Sequence, residues 1–421
     1  MSITPVDGHL LSRFARDLPH PPRVVVGGNA AVPWGLLRLI DETYDRYGLF
    51  MLNAPSGIPD RAGVVHETPF VGRGMRGSAR LRYVPARLSQ VPLLFGTTCP
   101  PDVVCVRATP PRHGRVSLGL EVNILPAAIE ACRARGGLVL AQLDPEMPYT
   151  FGDGELELSA LDGALTTADC EAPGSLTTLP APDPATAASA GDALARIGEL
   201  VAARVKDGAT LQLGIGRIPD AALARLVHRR DLGIWSEMVS DGLLGLAQAG
   251  ALATDRQIVT SFALGSRRLY DWLDGNPRVR VLRTETTNAP ARIAQNPRMT
   301  SINTALQVDL FAQVNASRIR SRIYSGFGGQ TDFVVGAVHA EEGQALIALE
   351  SWHHKADVST IVPLLDEPTS AFQHTAVITE QGAAEIFGHD ERAQARHLID
   401  CAAHPRVRAE LWEEARALGL G

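Results

Sequence analysis

Apolar positions in this chain fall mostly into short runs of three to six residues, closed by glycine, proline or asparagine. Between them lie stretches with helical spacing. Buried parallel strands alternating with helices give this pattern. Val24-Val25-Val26 runs into Gly27-Gly28, Asn29-Ala30-Ala31 leads to Pro33, and residues 34–40 repeat apolar side chains at helical intervals. Strand, glycine turn and proline at a helix start make one α/β unit. Further strands are expected at 49–52, 103–106 and 138–141, the last entered from a helix over 127–135. Residues 72–87, rich in arginine and glycine, read as irregular.

Pro180-Ala181-Pro182-Asp183-Pro184 bars both helix and central strand, so the domain boundary is expected near 185. A second unit then repeats the first. After a helix over 193–205, Thr210-Leu211-Gln212-Leu213 enters Gly214-Ile215-Gly216-Arg217-Ile218-Pro219. Setting Gly214 on Gly28 places Pro219 on Pro33 and Leu223 on Leu37. Later strands are expected at 232–235, ending at Ser236-Glu237-Met238, and at 258–265, 279–282 and 346–349. A last strand is expected at 376–379, and residues 391–418 read as largely helical. The fold class is therefore α/β: two tandem similar domains, 1–185 and 186–421, each with a mainly parallel sheet. Ligands of such sheets bind at the carboxyl ends of strands, and the cleft between the two domains is the expected place.

One stretch departs from simple patterning. Ser325-Gly326-Phe327-Gly328-Gly329-Gln330 sets three glycines in four residues between two apolar segments. Such density suits backbone conformations that side chains forbid, with N–H groups open to a ligand. A tight strand-to-helix turn without chemistry explains the glycines equally well. Glu237 likewise reads either as a reactive carboxylate at a strand end or as an acid favoured at a helix start.

Composition narrows the classes. Of 421 residues, 45% are hydrophobic and 20% charged, with a net charge of −6 and no basic block; nucleic acid and membrane surfaces are not expected partners. Five cysteines without a CxxC pair argue against a disulfide framework and a thiolate zinc site. The N-terminal residues show no secretory pattern and no apolar stretch approaches membrane-helix length, so a cytoplasmic location is expected.

The order of motifs resembles the acetyl-CoA hydrolase/transferase family of CoA-transferases, which includes 4-hydroxybutyrate and succinyl-CoA:acetate CoA-transferases. The residues that carry it include Gly214 to Asp220, Ser236-Glu237-Met238-Val239-Ser240-Asp241-Gly242, Ser261 to Ser266, Ile293-Ala294-Gln295-Asn296-Pro297 and the glycine loop. In the first half they include Tyr83-Val84-Pro85, Ser117-Leu118-Gly119 and Pro145-Glu146-Met147-Pro148. The resemblance implies a ping-pong CoA-transferase working through a glutamyl-CoA thioester on Glu237. Backbone amides of Gly328 and Gly329 would stabilise oxyanions, and Asn288, in an Asn-x-Pro turn, would lie near the reacting acyl group; a turn residue capping its own backbone is the alternative there. Gly214, Gly216, Gly326 and Gln330 would contact coenzyme A. The co-substrate would be an acyl-CoA with a carboxylic acid as acceptor, with no metal or redox cofactor, in a homodimer or higher homo-oligomer.

Several positions depart from the family pattern. Trp235 stands where relatives commonly have histidine. Tyr149, the Ser359-Thr360-Ile361 segment and the Thr369-Ser370-Ala371-Phe372 segment stand where they carry arginine. Cations bind the phosphates of CoA and small carboxylates. Their loss keeps an alternative open: a divergent hydrolase or acyltransferase for a bulkier acyl group, or for the thioester of an acyl carrier protein. Acyl-CoA binding without turnover is the third reading. Asp241 is expected to cap a helix, His113 and the pair His353-His354 to sit on exposed turns, Met147 and Trp235 to pack, and Cys401 to be buried in the core.

Overall fold

The computed structural model describes residues 4–170, 174–179, 192–214 and 216–421. The proline-rich linker expected at 180–184 and Ile215 of the Gly-Ile-Gly turn lie outside these. Contacts divide the chain into two compact units: residues 1–180 with 259–287, and residues 181–258 with 288–421. A single cut near 185 leaves 259–287 with the C-terminal half, whereas the division by contacts groups them with residues 1–180.

In the first unit, β1 (Arg23–Val26), α1 (Trp34–Thr43), β2 (Tyr47–Met51), β3 (Val64–Thr68), β4 (Leu81–Tyr83), β5 (Val103–Ala108), α2 (Leu125–Ala134), β6 (Leu138–Leu143) and β7 (Gly163–Thr166) follow in order. The sheet runs β7-β6-β5-β1-β2-β3-β4, all parallel. Its central strands are mostly apolar because both faces are covered; every residue of β5 is buried, including Arg107, which pairs with Asp144. Strand β4 and a short helix, Val91–Gly96, add order to the region read as irregular and to the apolar run after it.

In the second unit, α3 (Asp192–Arg204), β8 (Thr210–Gln212), α4 (Arg217–Arg225), β9 (Gly233–Trp235), β10 (Thr300–Thr304), α5 (Gln330–His339), β11 (Gln344–Ala348), β12 (Ala376–Thr379) and β13 (Gly382–Glu385) build the sheet and its cover. The strands of this unit run in the order β13-β12-β11-β10-β8-β9, parallel except for the β12–β13 hairpin. The central order β12-β11-β10-β8-β9 reproduces β7-β6-β5-β1-β2. The two mainly parallel α/β units are thus one topology used twice, as the glycine-turn repeat predicts.

Some expectations need correction. Residues 258–265 form not one strand but two, Ile258–Thr260 and Phe262–Ala263. The break falls where Thr260 Oγ1 donates to the Phe262 carbonyl (2.9 Å) and Ser261 Oγ to that of Leu282 (2.8 Å). Strand 376–379 is not the last; β13 closes that edge. Asp241 occupies an N-cap position but its side chain makes no capping bond. Cys401 is only partly buried, because Leu398, Ile399 and Ala402 take the core-facing places of its helical turn. Met147 is buried and Trp235 packs partly buried against the second unit's core. His113, His353 and His354 are exposed.

Candidate active site

Glu237 lies two residues beyond β9, at the carboxyl end of the second sheet. Its placement begins with Ser236, which is fully buried and links the ends of neighbouring strands: Ser236 Oγ donates to the Leu213 carbonyl and accepts from the Leu213 amide, both at 3.1 Å. A serine here holds β9 to the segment leaving β8, and the next side chain turns off the sheet end.

Two elements distant in sequence meet that carboxylate. Asn288 is buried and its Nδ2 donates to Glu237 Oε2 at 2.9 Å. Gly329, the N-cap residue of α5, presses its α-carbon onto the same group. A Cβ added there would overlap Glu237 Oε2 and Asn288 Nδ2 and stand 3.0 Å from Glu237 Cδ. The neighbouring glycines serve different needs. Gly328 has φ +56°, a left-handed backbone that glycine adopts freely, whereas Gly329 has φ −95° and is required only for its close approach. The carboxylate therefore sits beside the first turn of α5, where backbone N–H groups lack intrahelical acceptors.

The electrostatics point the other way. Burial pushes the Glu237 carboxyl up to about 7; the Asn288 hydrogen bond pulls it back, and the charge of Asp332 pushes it further up. Asp332 is buried in the first turn of α5. A carboxyl titrating near neutrality keeps a large anionic fraction at pH 7 and is more basic, and so more nucleophilic, than a surface glutamate.

Other predicted residues hold supporting places. Gly216 caps α4 with φ +132°, again a glycine conformation, and its carbonyl accepts from Asp220 N. A Cβ added at Gly214 would make only ordinary contacts with Pro219 and Ile302, so the fold places no steric demand for glycine there. Gly326 is buried, and Gln330 Nε2 donates to the Thr304 carbonyl (3.1 Å), tying the start of α5 to the end of β10. Sequence reasoning missed Asp332, whose signal was an acid in the helix turn after the glycines. It also missed a buried cluster at the sheet end, where Ser301 Oγ (2.8 Å) and Asn303 Nδ2 (3.1 Å) both donate to Gln212 Oε1.

The positions lacking cations are occupied by structural contacts. Thr360 Oγ1 donates to the Glu350 carbonyl (2.7 Å), Thr369 Oγ1 to that of Val314 (2.5 Å), and Phe372 is buried in the core. In the first unit Tyr149 is buried, donates to Glu155 Oε1 (3.0 Å) and carries the Arg112 guanidinium 5.2 Å from its ring centre. Among the described residues no group of three or more His, Cys, Asp or Glu is arranged to hold a metal ion, and no helix is long and apolar enough to cross a membrane.

The chain as a whole is similar to known proteins. Residues 265–415 match the acetyl-CoA hydrolase/transferase C-terminal domain. The chain is 38% identical over 364 residues to a 4-hydroxybutyrate coenzyme A transferase of Clostridium kluyveri, covering 83% of this chain and 81% of that protein. This chain belongs to the acetyl-CoA hydrolase/transferase family. Among solved structures, a 4-hydroxybutyrate CoA-transferase from Porphyromonas gingivalis superposes with TM-score 0.80 at 28% identity, covering 99% of this chain and 98% of that one. RipA from Yersinia pestis does so with TM-score 0.86 at 25% identity, covering 99% and 100%. In this chain Glu237, Asn288 and Gly329 meet in one place.

Proposed function

We propose that the protein is a CoA-transferase that moves CoA between an acyl-CoA and a free carboxylic acid, with Glu237 as the covalent nucleophile. The observation that carries this reading is the contact of Asn288 Nδ2 and the Gly329 α-carbon with one partly exposed glutamate titrating near neutrality. The names of the relatives support the reaction class.

A Glu237 oxygen attacks the thioester carbonyl. The C–S bond breaks, CoA leaves as a thiolate and an acyl-glutamyl anhydride remains. The thiolate then attacks Glu237 Cδ, releasing the first acid as a carboxylate and leaving a glutamyl-CoA thioester. An incoming carboxylate reverses both steps, and a new acyl-CoA departs. Every step is substitution at a carbonyl, so no electron carrier is called for. Each addition builds negative charge on a carbonyl oxygen, and amides at Gly328 and Gly329 are the proposed donors. Removing one such donor typically costs about 3–4 kcal/mol of barrier lowering. Asn288 orients the carboxylate and is available to the acyl oxygen. Gly214, Gly216, Gly326 and Gln330 frame the strand-end surface on which the thioester arm is proposed to lie.

Mass spectrometry tests this. The protein is mixed with a panel of acyl-CoAs without acceptor. A CoA adduct on the peptide holding Glu237, absent from Glu237→Ala, is the expected result. No adduct with any donor, from folded protein, would refute the covalent route. Turnover that needs no carboxylic acid would instead assign the hydrolase activity that the family description also names.

A further inference from the structure

The hairpin that feeds the glycine loop carries three arginines. Its strands, Arg318–Ile319 and Arg322–Ile323, pair antiparallel. The two turn residues, Arg320 and Ser321, are both left-handed (φ +50° and +62°), the geometry of a two-residue turn usually made by Asn-Gly. Placing an arginine and a serine there costs conformational energy that glycine would avoid. Arg318 Nη1 donates to the Ser321 carbonyl (2.9 Å), which tightens the turn. One carboxylate lies at the turn: Glu367 Oε2 accepts from the Ser321 amide (2.7 Å). Arg320 and Arg322 are exposed, and among the described residues neither has an acidic partner.

The hairpin is tied to the loop that follows. The amides of Tyr324 and Ser325 both donate to the Ser317 carbonyl (2.8 and 3.3 Å), and Ser325 Oγ donates to that of Ala316 (3.0 Å). The arginines are therefore held on the same braced segment as Gly326, Gly328 and Gly329. Arg322 precedes Gly329 by seven positions, so chain connectivity keeps the two within ~25 Å of each other.

We propose that Arg320 and Arg322 form a binding site for the phosphate groups of the CoA thioester whose acyl carbon meets Glu237. This inference rests on the CoA-transferase reading above. It also answers the loss of cations elsewhere in the chain, where Thr360 and Phe372 make fold contacts instead. An exposed guanidinium on the turn and another at the start of the strand after it can each pair with phosphate oxygens.

The test compares an acyl-CoA with the same acyl group on pantetheine, which lacks the phosphates, using the acyl group that best loads Glu237. Wild-type protein is expected to prefer the CoA ester in kcat/KM, and Arg320→Ala/Arg322→Ala to lose that preference by roughly ten- to a hundredfold. The preference should also weaken with ionic strength in the wild type, a reading that needs no variant. The double lysine variant should retain part of it. A double alanine variant that keeps the wild-type preference overturns the hairpin site while leaving the transferase reading intact. So does a wild type that treats the two esters alike. A wild type that forms no Glu237 adduct with either ester overturns the transferase reading itself, and the hairpin site with it.

Discussion

Each unit has a buried or half-buried glutamate at the carboxyl end of its sheet, and burial pushes both up to about 7. In the first unit, Glu121 is 2% exposed. Its Oε1 accepts from Gly28 N (2.9 Å), Asn29 Nδ2 (3.1 Å) and Asn123 Nδ2 (3.1 Å), and Oε2 is buried as well. In the second unit, Glu237 is partly open, with Asn288 on Oε2 and a glycine α-carbon against it. The same shift thus arises in two settings. Glu121 is a closed knot that fixes the turn after β1; Glu237 is a carboxylate left half open. The topological counterpart of Glu237 in the first unit, two residues beyond β2, is Asn53, which donates to Asn29 Oδ1 at 2.8 Å. The duplicated fold places a residue at the same strand end twice, but the carboxylate at that position belongs to the second unit. A shifted acid is therefore not by itself a reactive one; access and surroundings decide.

The sharpest test of this contrast is the same change at both sites. Glu237→Gln should remove at least ~10³-fold of transferase turnover, because the amide is no nucleophile. Glu121→Gln should leave the covalent chemistry in place. Comparable losses in both, with folding intact, would break the comparison.

Next in size is the pair of glycines. Gly329→Ala drives a methyl into Glu237 and Asn288, and about a hundredfold loss of kcat/KM is expected, since small misplacements at a reacting group are that costly. Gly328→Ala meets left-handed backbone instead, and its cost should appear as ~1–2 kcal/mol in thermal or denaturant unfolding.

The pH profile separates the glutamates further. Turnover by Glu237 needs the anion, so kcat/KM should rise about tenfold per pH unit up to about 7 and then level off. Removing the charge in Asp332→Asn should move that midpoint down, and Asn288→Ala should move it up. An unmoved midpoint in both would detach Glu237 from the profile.

The last effect is on stability alone. Glu121 has a folded-state pKa raised from 4.5 to about 7, so the unfolded chain releases this proton first as pH rises. Its contribution is full below pH 4.5 and is lost through about pH 7, with a slope of ~1.4 kcal/mol per pH unit inside that window. Glu121→Gln should remove this slope, so the variant gains on the wild type as pH rises. Denaturant unfolding at pH 5 and pH 8 measures the difference.

Much of this is legible in the amino-acid sequence. The apolar runs mark β1, β5, β6, β8 and β11 because strands covered on both faces are mostly apolar, and the repeated glycine turns announce the duplication. Glu237, Asn288 and the glycine loop can be singled out by resemblance to a family. The sequence does not show why two adjacent glycines differ, since Gly328 answers to its own φ and Gly329 to a neighbour 92 positions upstream in the chain. Nor does it show Asp332 beside Glu237, the break at Ser261 or the knot around Glu121.

The amino-acid sequence by itself determined the local preferences: which segments extend, which coil, where the chain turns, and that two α/β units follow one another. Those depend on neighbours within a few residues, through side-chain spacing and backbone freedom. Only the tertiary structure decided which carboxylate is closed and which is half open, because positions 237, 288 and 329 meet through the crossover order of parallel strands, and charge, burial and close contact are set by residues that are near in space but remote along the chain.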